Sequence, residues 1–132
     1  MTTIHASIGA QPYKMDIRTA TNAIVADEPL SSGGQDLGFS PADLITASLG
    51  ACTCATLRMY ANRKGWDLTD VKVEVQFERD NIKNTSHFTR TIELFGNLDE
   101  AQQQRLLAIA NGCFIHKTLT NPIEIETKLA TQ

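Results

Sequence analysis

Four side chains in this sequence could handle electrons or a metal ion: Cys52 and Cys54 in "SLGACTCATLRMYANRKG" (residues 48–65), and Cys113 and His116 in "GCFIHKTL". Thiols react with peroxides and exchange disulfides as thiolates, and together with imidazoles they bind zinc. Spacing decides among these. Residues 48–65 read as one helix, on which positions i and i+2 point roughly 200° apart because each residue turns about 100°. Cys52 and Cys54 therefore do not readily grip one ion or join each other. A zinc site from Cys52, Cys54, Cys113 and His116 loses a ligand to that phase and matches no common finger spacing, so no metal is expected. On composition alone, packing as small apolar side chains accounts for the cysteines, and for Cys54 above all. His5 and His87 stand among polar residues and are expected at the surface.

The elements that must position these residues are marked by local signals. Ser40 can cap a helix, Pro41 suits its first position and Asp43 lies near the positive end of its dipole. The helix should run from about Pro41 to Lys64 and end at Gly65, which tolerates a left-handed cap. Before it, "YKMDIRTATNAIVAD" alternates as two short strands, around Tyr13 to Arg18 and Asn22 to Ala26, and "DEPLSSGGQDLGFS" is loop. After it, "VKVEVQFER" from Val71 and "HFTRTIELFG" from His87 should pair as an antiparallel hairpin across "DNIKNTS". Asp99 should cap a second amphipathic helix with Leu106, Leu107, Ile109 and Ala110 on its buried side, broken at Gly112. "CFIHKTLTN" suggests one further helical turn, and "PIEIETKLA", with Pro122 first, a closing strand.

With 132 residues and 42% hydrophobic content, one domain spanning residues 1–132 is the default. Twelve basic against fifteen acidic side chains, interspersed, leave no phosphate-binding stripe, so nucleic acid is not expected as a partner. The N-terminus lacks a signal-peptide pattern, and the apolar stretch from Leu44 to Ala61 is interrupted by Ser, Thr, Arg and Asn, which argues against secretion and membrane insertion. An odd count of three cysteines fits a reducing cytoplasm, where a disulfide would be transient. The long helix has apolar residues on more than one face and should be buried nearly all round. A small sheet covers one side only, while Ala47, Ser48, Gly50, Ala51 and Ala55 would admit a second helix, so a homodimer with packed central helices is expected.

"GGQDLGFSPADLITASLGACTCATLRMYANRKG" resembles the OsmC/Ohr family of hydroperoxide-reducing proteins: a Gly-Gly loop, a G-x-S-P helix start, a Leu-Gly-x-Cys turn and a Tyr-Ala-x-Arg-Lys-Gly exit. "NGCFIHKTL" resembles that family's second cysteine segment, usually Cys-Pro-Val-His-Lys-Thr-Leu, and the likeness runs through most of the chain from about Ala26. The resemblance implies an α+β fold in which antiparallel sheets wrap a long buried central helix in an intertwined homodimer. It also implies a thiol peroxidase for organic hydroperoxides, with Cys52 as peroxidatic and Cys113 as resolving cysteine, no cofactor, and a dithiol reductant such as a lipoyl protein. The family's Glu ten residues before the first cysteine is Ala42 here, with Asp43 beside it, and Arg18 is the only arginine before the helix. Cys52 is too deep in its helix for that helix's dipole to acidify it, so a cation is expected to do so. The alternative is a non-catalytic dimer binding an apolar small molecule in the same interface pocket.

Overall fold

The computed structural model describes residues 1–131. Among the described residues, five strands and three α-helices follow one another as β1 (His5–Ile8), β2 (Met15–Arg18), β3 (Ala23–Ala26), α1 (Pro41–Lys64), β4 (Asp67–Asp80), β5 (Thr85–Asn97), α2 (Glu100–Ala110) and α3 (Phe114–Thr120). This is an α+β fold with antiparallel sheets. The chain forms two compact units, one of Met1–Ala47 with Arg79–Ser86, the other of Ser48–Glu78 with the residues from His87 onward.

In the first unit, β1, β2 and β3 form an antiparallel sheet in that order. Met15 sits opposite both Ile8 and Ala26, and Arg18 opposite both His5 and Ala23. Thr19 makes the β2–β3 turn, its hydroxyl accepting from the N–H groups of Thr21 at 3.2 Å and Asn22 at 2.9 Å. The following loop is folded by the buried carboxylate of Asp27, which accepts from the N–H groups of Glu28, Gln35 and Leu37. Gly34 lies so close to the Glu28 carbonyl that any Cβ there would collide with it. The loop delivers Ser40, whose hydroxyl accepts from Asp43 N–H at 3.1 Å while the Asp43 carboxylate accepts from Ser40 N–H at 3.0 Å. That reciprocal pair is a capping box, and it starts α1 at Pro41.

In the second unit, α1 continues to Lys64 and stops at Gly65, whose φ of 69° is the left-handed conformation expected there. β4 and β5 form a two-stranded sheet. The core joins Leu57, Tyr60 and Ala61 of α1 to Leu68 of β4 and to Leu106 and Ala110 of α2, with Trp66, Val71, Ile92, Leu94, Leu98 and Ile109 around them. Leu57 and Leu106 are fully buried, so truncating either to Ala costs about 2–5 kcal/mol. Asp99 caps α2 in a second capping box with Gln102.

Two expectations are corrected. Leu107 is half exposed, because the buried face of α2 is set by Leu106 and Ala110 four residues apart, and Leu107 stands one step round from it. Residues 122–130 form no strand, and each is exposed. Their alternation suits a sheet, but a strand exists only through a ladder partner, and no described strand provides one. Within one chain, Leu49, Thr53, Leu57, Tyr60 and Ala61 of α1 point inward, whereas Ala51, Ala55 and Met59, each four residues apart, form an exposed stripe.

Candidate active site

The second unit brings Cys52 and Cys113 together. Cys52, partly exposed on α1, has its sulfur 3.9 Å from the hydroxyl of Thr56, one turn on along the same face. Gly112 closes the turn after α2, its N–H donating to the Ile109 carbonyl at 3.0 Å. This sets Cys113, only 1% exposed, as the N-cap of α3. The Cys113 backbone is extended, and its sulfur accepts from the His116 N–H at 3.4 Å, as a capping side chain does. The N–H groups just before that of His116 in α3 turn to the other cysteine, with Ile115 N–H donating to the Cys52 sulfur across 3.5 Å. Both sulfurs therefore lie at the first turn of one short helix.

A cation stands beside Cys113. Arg90, half-buried on β5, reaches the Cys113 sulfur at 3.9 Å and the Thr53 hydroxyl at 3.0 Å through Nη1. Through Nη2 it reaches Asn111 Oδ1 at 3.2 Å and His116 Nδ1 at 2.9 Å. Thr53 is fully buried and its hydroxyl donates a hydrogen bond to the Leu49 carbonyl at 2.7 Å, which leaves its oxygen to accept from Arg90. A guanidinium only donates, so His116 Nδ1 accepts and the ring carries its proton on Nε2. Burial and then the Arg90 charge hold the His116 pKa below its ordinary value, which keeps the ring neutral.

The acidity of Cys52 has a different source from the one expected. Burial raises its pKa, but hydrogen bonds from the Ile115 N–H, the Cys113 thiol, the Thr56 hydroxyl and the Phe114 N–H outweigh burial, and the net shift is downward. The dipole of α1 is not needed, because the N-terminus of α3 is aimed at the sulfur instead. Asp43 is committed to capping Ser40. Ala42 is exposed at the start of α1, Arg18 is exposed on β2, and His5 and His87 are exposed on β1 and β5. Cys54 is two residues from Cys52 and points elsewhere on α1.

Sequence reasoning missed Arg90, Thr53 and Asn111. Arg90 left a readable signal: Phe88, Arg90, Ile92 and Leu94 alternate on β5 and are all partly buried, so an arginine occupies the covered face of that strand. A charge on such a face requires polar partners, and the four contacts of Arg90 are those partners.

A pair of thiols, one acidic and accessible, the other buried beside a fixed cation, suits reversible sulfur redox chemistry. A family model described as OsmC-like protein matches residues 33–128. No curated protein sequence matches the chain. Among solved structures, an OsmC like protein from Mycoplasma pneumoniae superposes with a TM-score of 0.78 at 19% identity, covering 90% of this chain and 86% of that one. The organic hydroperoxide resistance protein OsmC from Legionella pneumophila gives 0.68 at 22% identity, covering 91% and 89%. The organic hydroperoxide resistance protein OhrB of Bacillus subtilis gives 0.62 at 18%, covering 91% and 90%. At these identities the likeness establishes the fold.

Proposed function

Because this chain belongs to the OsmC-like family, we propose that it is a cysteine-based peroxidase that reduces organic hydroperoxides through Cys52 and Cys113. The observation that carries the reading is the convergence of the two sulfurs on the first turn of α3, with Cys52 the accessible and acidified one. The Cys52 thiolate attacks the terminal oxygen of the hydroperoxide and the O–O bond breaks. The alcohol leaves with a proton, and Cys52 becomes a sulfenic acid. The Cys113 sulfur then attacks the Cys52 sulfur, the S–S bond forms, and the hydroxyl leaves as water. A dithiol, such as a lipoyl group on a partner protein, reopens the disulfide by two successive exchanges and is itself oxidised to a disulfide.

Arg90 has a natural place in that last stage. When an external thiolate attacks the accessible Cys52 sulfur, Cys113 leaves as thiolate beside the Arg90 guanidinium and the His116 N–H, which stabilise the charge as it forms. The working form is a homodimer in the cytoplasm, with the exposed Ala51 and Ala55 of α1 covered by a second copy. Sedimentation at micromolar protein should give twice the chain mass.

The deciding experiment is brief treatment of reduced protein with cumene hydroperoxide followed by mass spectrometry. Loss of two hydrogens per chain, mapped to a Cys52–Cys113 disulfide, is the expected result. Unreacted thiols under the same conditions would remove the proposal.

A further inference from the structure

A cavity of about 530 Å³ opens in the second unit, lined on α1 by Thr56, Met59, Tyr60 and Arg63. The Thr56 hydroxyl lies 3.9 Å from the Cys52 sulfur, so a single side chain links the cavity to the reactive thiol. Its volume is that of a small-molecule site. Met59 and Ile109 give it apolar walls, while Arg63, Arg105 and Lys117 bring three cations from three different helices. Among the described residues none that line it is acidic.

Two of these cations, Arg63 and Arg105, are held against one aromatic ring, that of Tyr60. Arg105 Nε donates to the Tyr60 hydroxyl at 3.0 Å, which leaves its two Nη groups for another acceptor. The guanidiniums of Arg63 and Arg105 lie 5.6 and 5.8 Å from the Tyr60 ring centroid. The hydrogen bond from Arg105 and the charges of Arg105, Lys64 and Arg63 hold the Tyr60 phenol below its ordinary pKa against the opposing effect of burial, which registers how positive this wall is. Like charges gathered without a counter-charge repel one another, and an anion bound among them relieves that repulsion. An apolar cavity with a fork-shaped donor at its rim fits a carboxylate on a hydrocarbon body.

We infer that this cavity binds the carboxylate of a small apolar acid, so that an acid bearing a hydroperoxide is held by its charged end with its reactive end toward Cys52. The inference rests on the proposed peroxidase activity for the reactive end alone. The carboxylate could instead belong to the reductant, as in a dithiol acid, and the test separates the two sources.

Binding is read without turnover from Trp66, the only tryptophan, whose ring lies 5.5 Å from that of Tyr60. Decanoate titrated into reduced protein should change Trp66 fluorescence and bind at least about tenfold tighter than decanol, the value of one charge-assisted hydrogen bond. The advantage should vanish in R63Q/R105Q/K117Q, three exposed positions whose fold is checked by circular dichroism, and shrink in high salt. Equal binding of acid and alcohol, or an advantage that survives the triple variant, overturns the inference. The half-reactions then assign the source. A fatty-acid hydroperoxide outrunning its methyl ester in oxidising Cys52 places the carboxylate on the oxidant. Dihydrolipoate outrunning dihydrolipoamide in reducing a diamide-formed Cys52–Cys113 disulfide places it on the reductant. A protein that binds decanoate but consumes no hydroperoxide keeps the anion site and loses the peroxidase.

Discussion

The sulfur of Cys52 faces the N–H of Ile115 across 3.5 Å, so a thiol in the middle of one helix sits at the start of another. Its acidity thus depends on a segment sixty-three positions away in sequence, and the connection can be cut one donor at a time.

Alkylation of Cys52 by iodoacetamide should rise with pH and level off, with a midpoint below that of an ordinary thiol, because the hydrogen bonds it accepts outweigh its burial. Phe114→Pro should move that midpoint upward. Proline lacks the N–H that Phe114 supplies, yet it suits the first helical position after the Cys113 cap, so α3 should survive. An unchanged midpoint in a folded variant would mean that this donor contributes nothing.

The three cysteines should separate cleanly by function. Cys52→Ser should abolish peroxide consumption, whereas Cys113→Ser should consume roughly one equivalent and stall as a sulfenic acid that dimedone traps. Cys54→Ala should leave turnover essentially intact, since its side chain points away from the site. Identical behaviour of the Cys52 and Cys113 variants would remove the two-cysteine mechanism.

Much of this framework is written locally. Ser40, Pro41, Asp43 and Gly65 bound α1 because each satisfies or terminates backbone within a few residues of itself, and the Asp99 capping box does the same for α2. The two cysteine segments were likewise readable as motifs. What local pattern could not supply was the identity of a neighbour. Leu107 and residues 122–130 carry apolar side chains in plausible periods, but burial needs a second surface, and none within the described chain covers them. β1 was missed because "HASI" is too short to carry a period. Arg90 is not legible locally because it lies on a later strand, and the tertiary fold sets it beside Cys113, not beside the Cys52 thiol for which a cation was expected.

Arg90→Gln should act on the reduction of the disulfide more than on its formation. With a diamide-formed disulfide and a monothiol, wild-type protein should give the mixed disulfide on Cys52 and leave Cys113 free for alkylation. The variant should exchange about tenfold more slowly, through loss of a charge-assisted contact to the departing sulfur. An adduct found on Cys113 would reverse the assignment.

His116 gives stability a slope with pH. Its folded pKa lies below the unfolded value of 6.5, through burial first and the Arg90 charge second. As pH falls below about 6.5 the unfolded chain takes up a proton that the native ring refuses, so this residue's contribution to stability is full above that pH and lost beneath it. Urea midpoints of wild-type protein should therefore decline more steeply across that window than those of His116→Gln, which can still accept from Arg90 without titrating.

The unequal exposure of the two sulfurs gives the pair an arrow in time. Cys113 is 1% exposed and anchored as a helix cap, while Cys52 is partly exposed, so molecules arriving from outside, oxidant and reductant alike, meet the same atom first. The protein then has a single port and an interior relay. Whatever competes for that port, whether a bulky ligand or an alkylating reagent, halts oxidation and recovery together, and the pair is held in whichever redox state it occupied when the port closed.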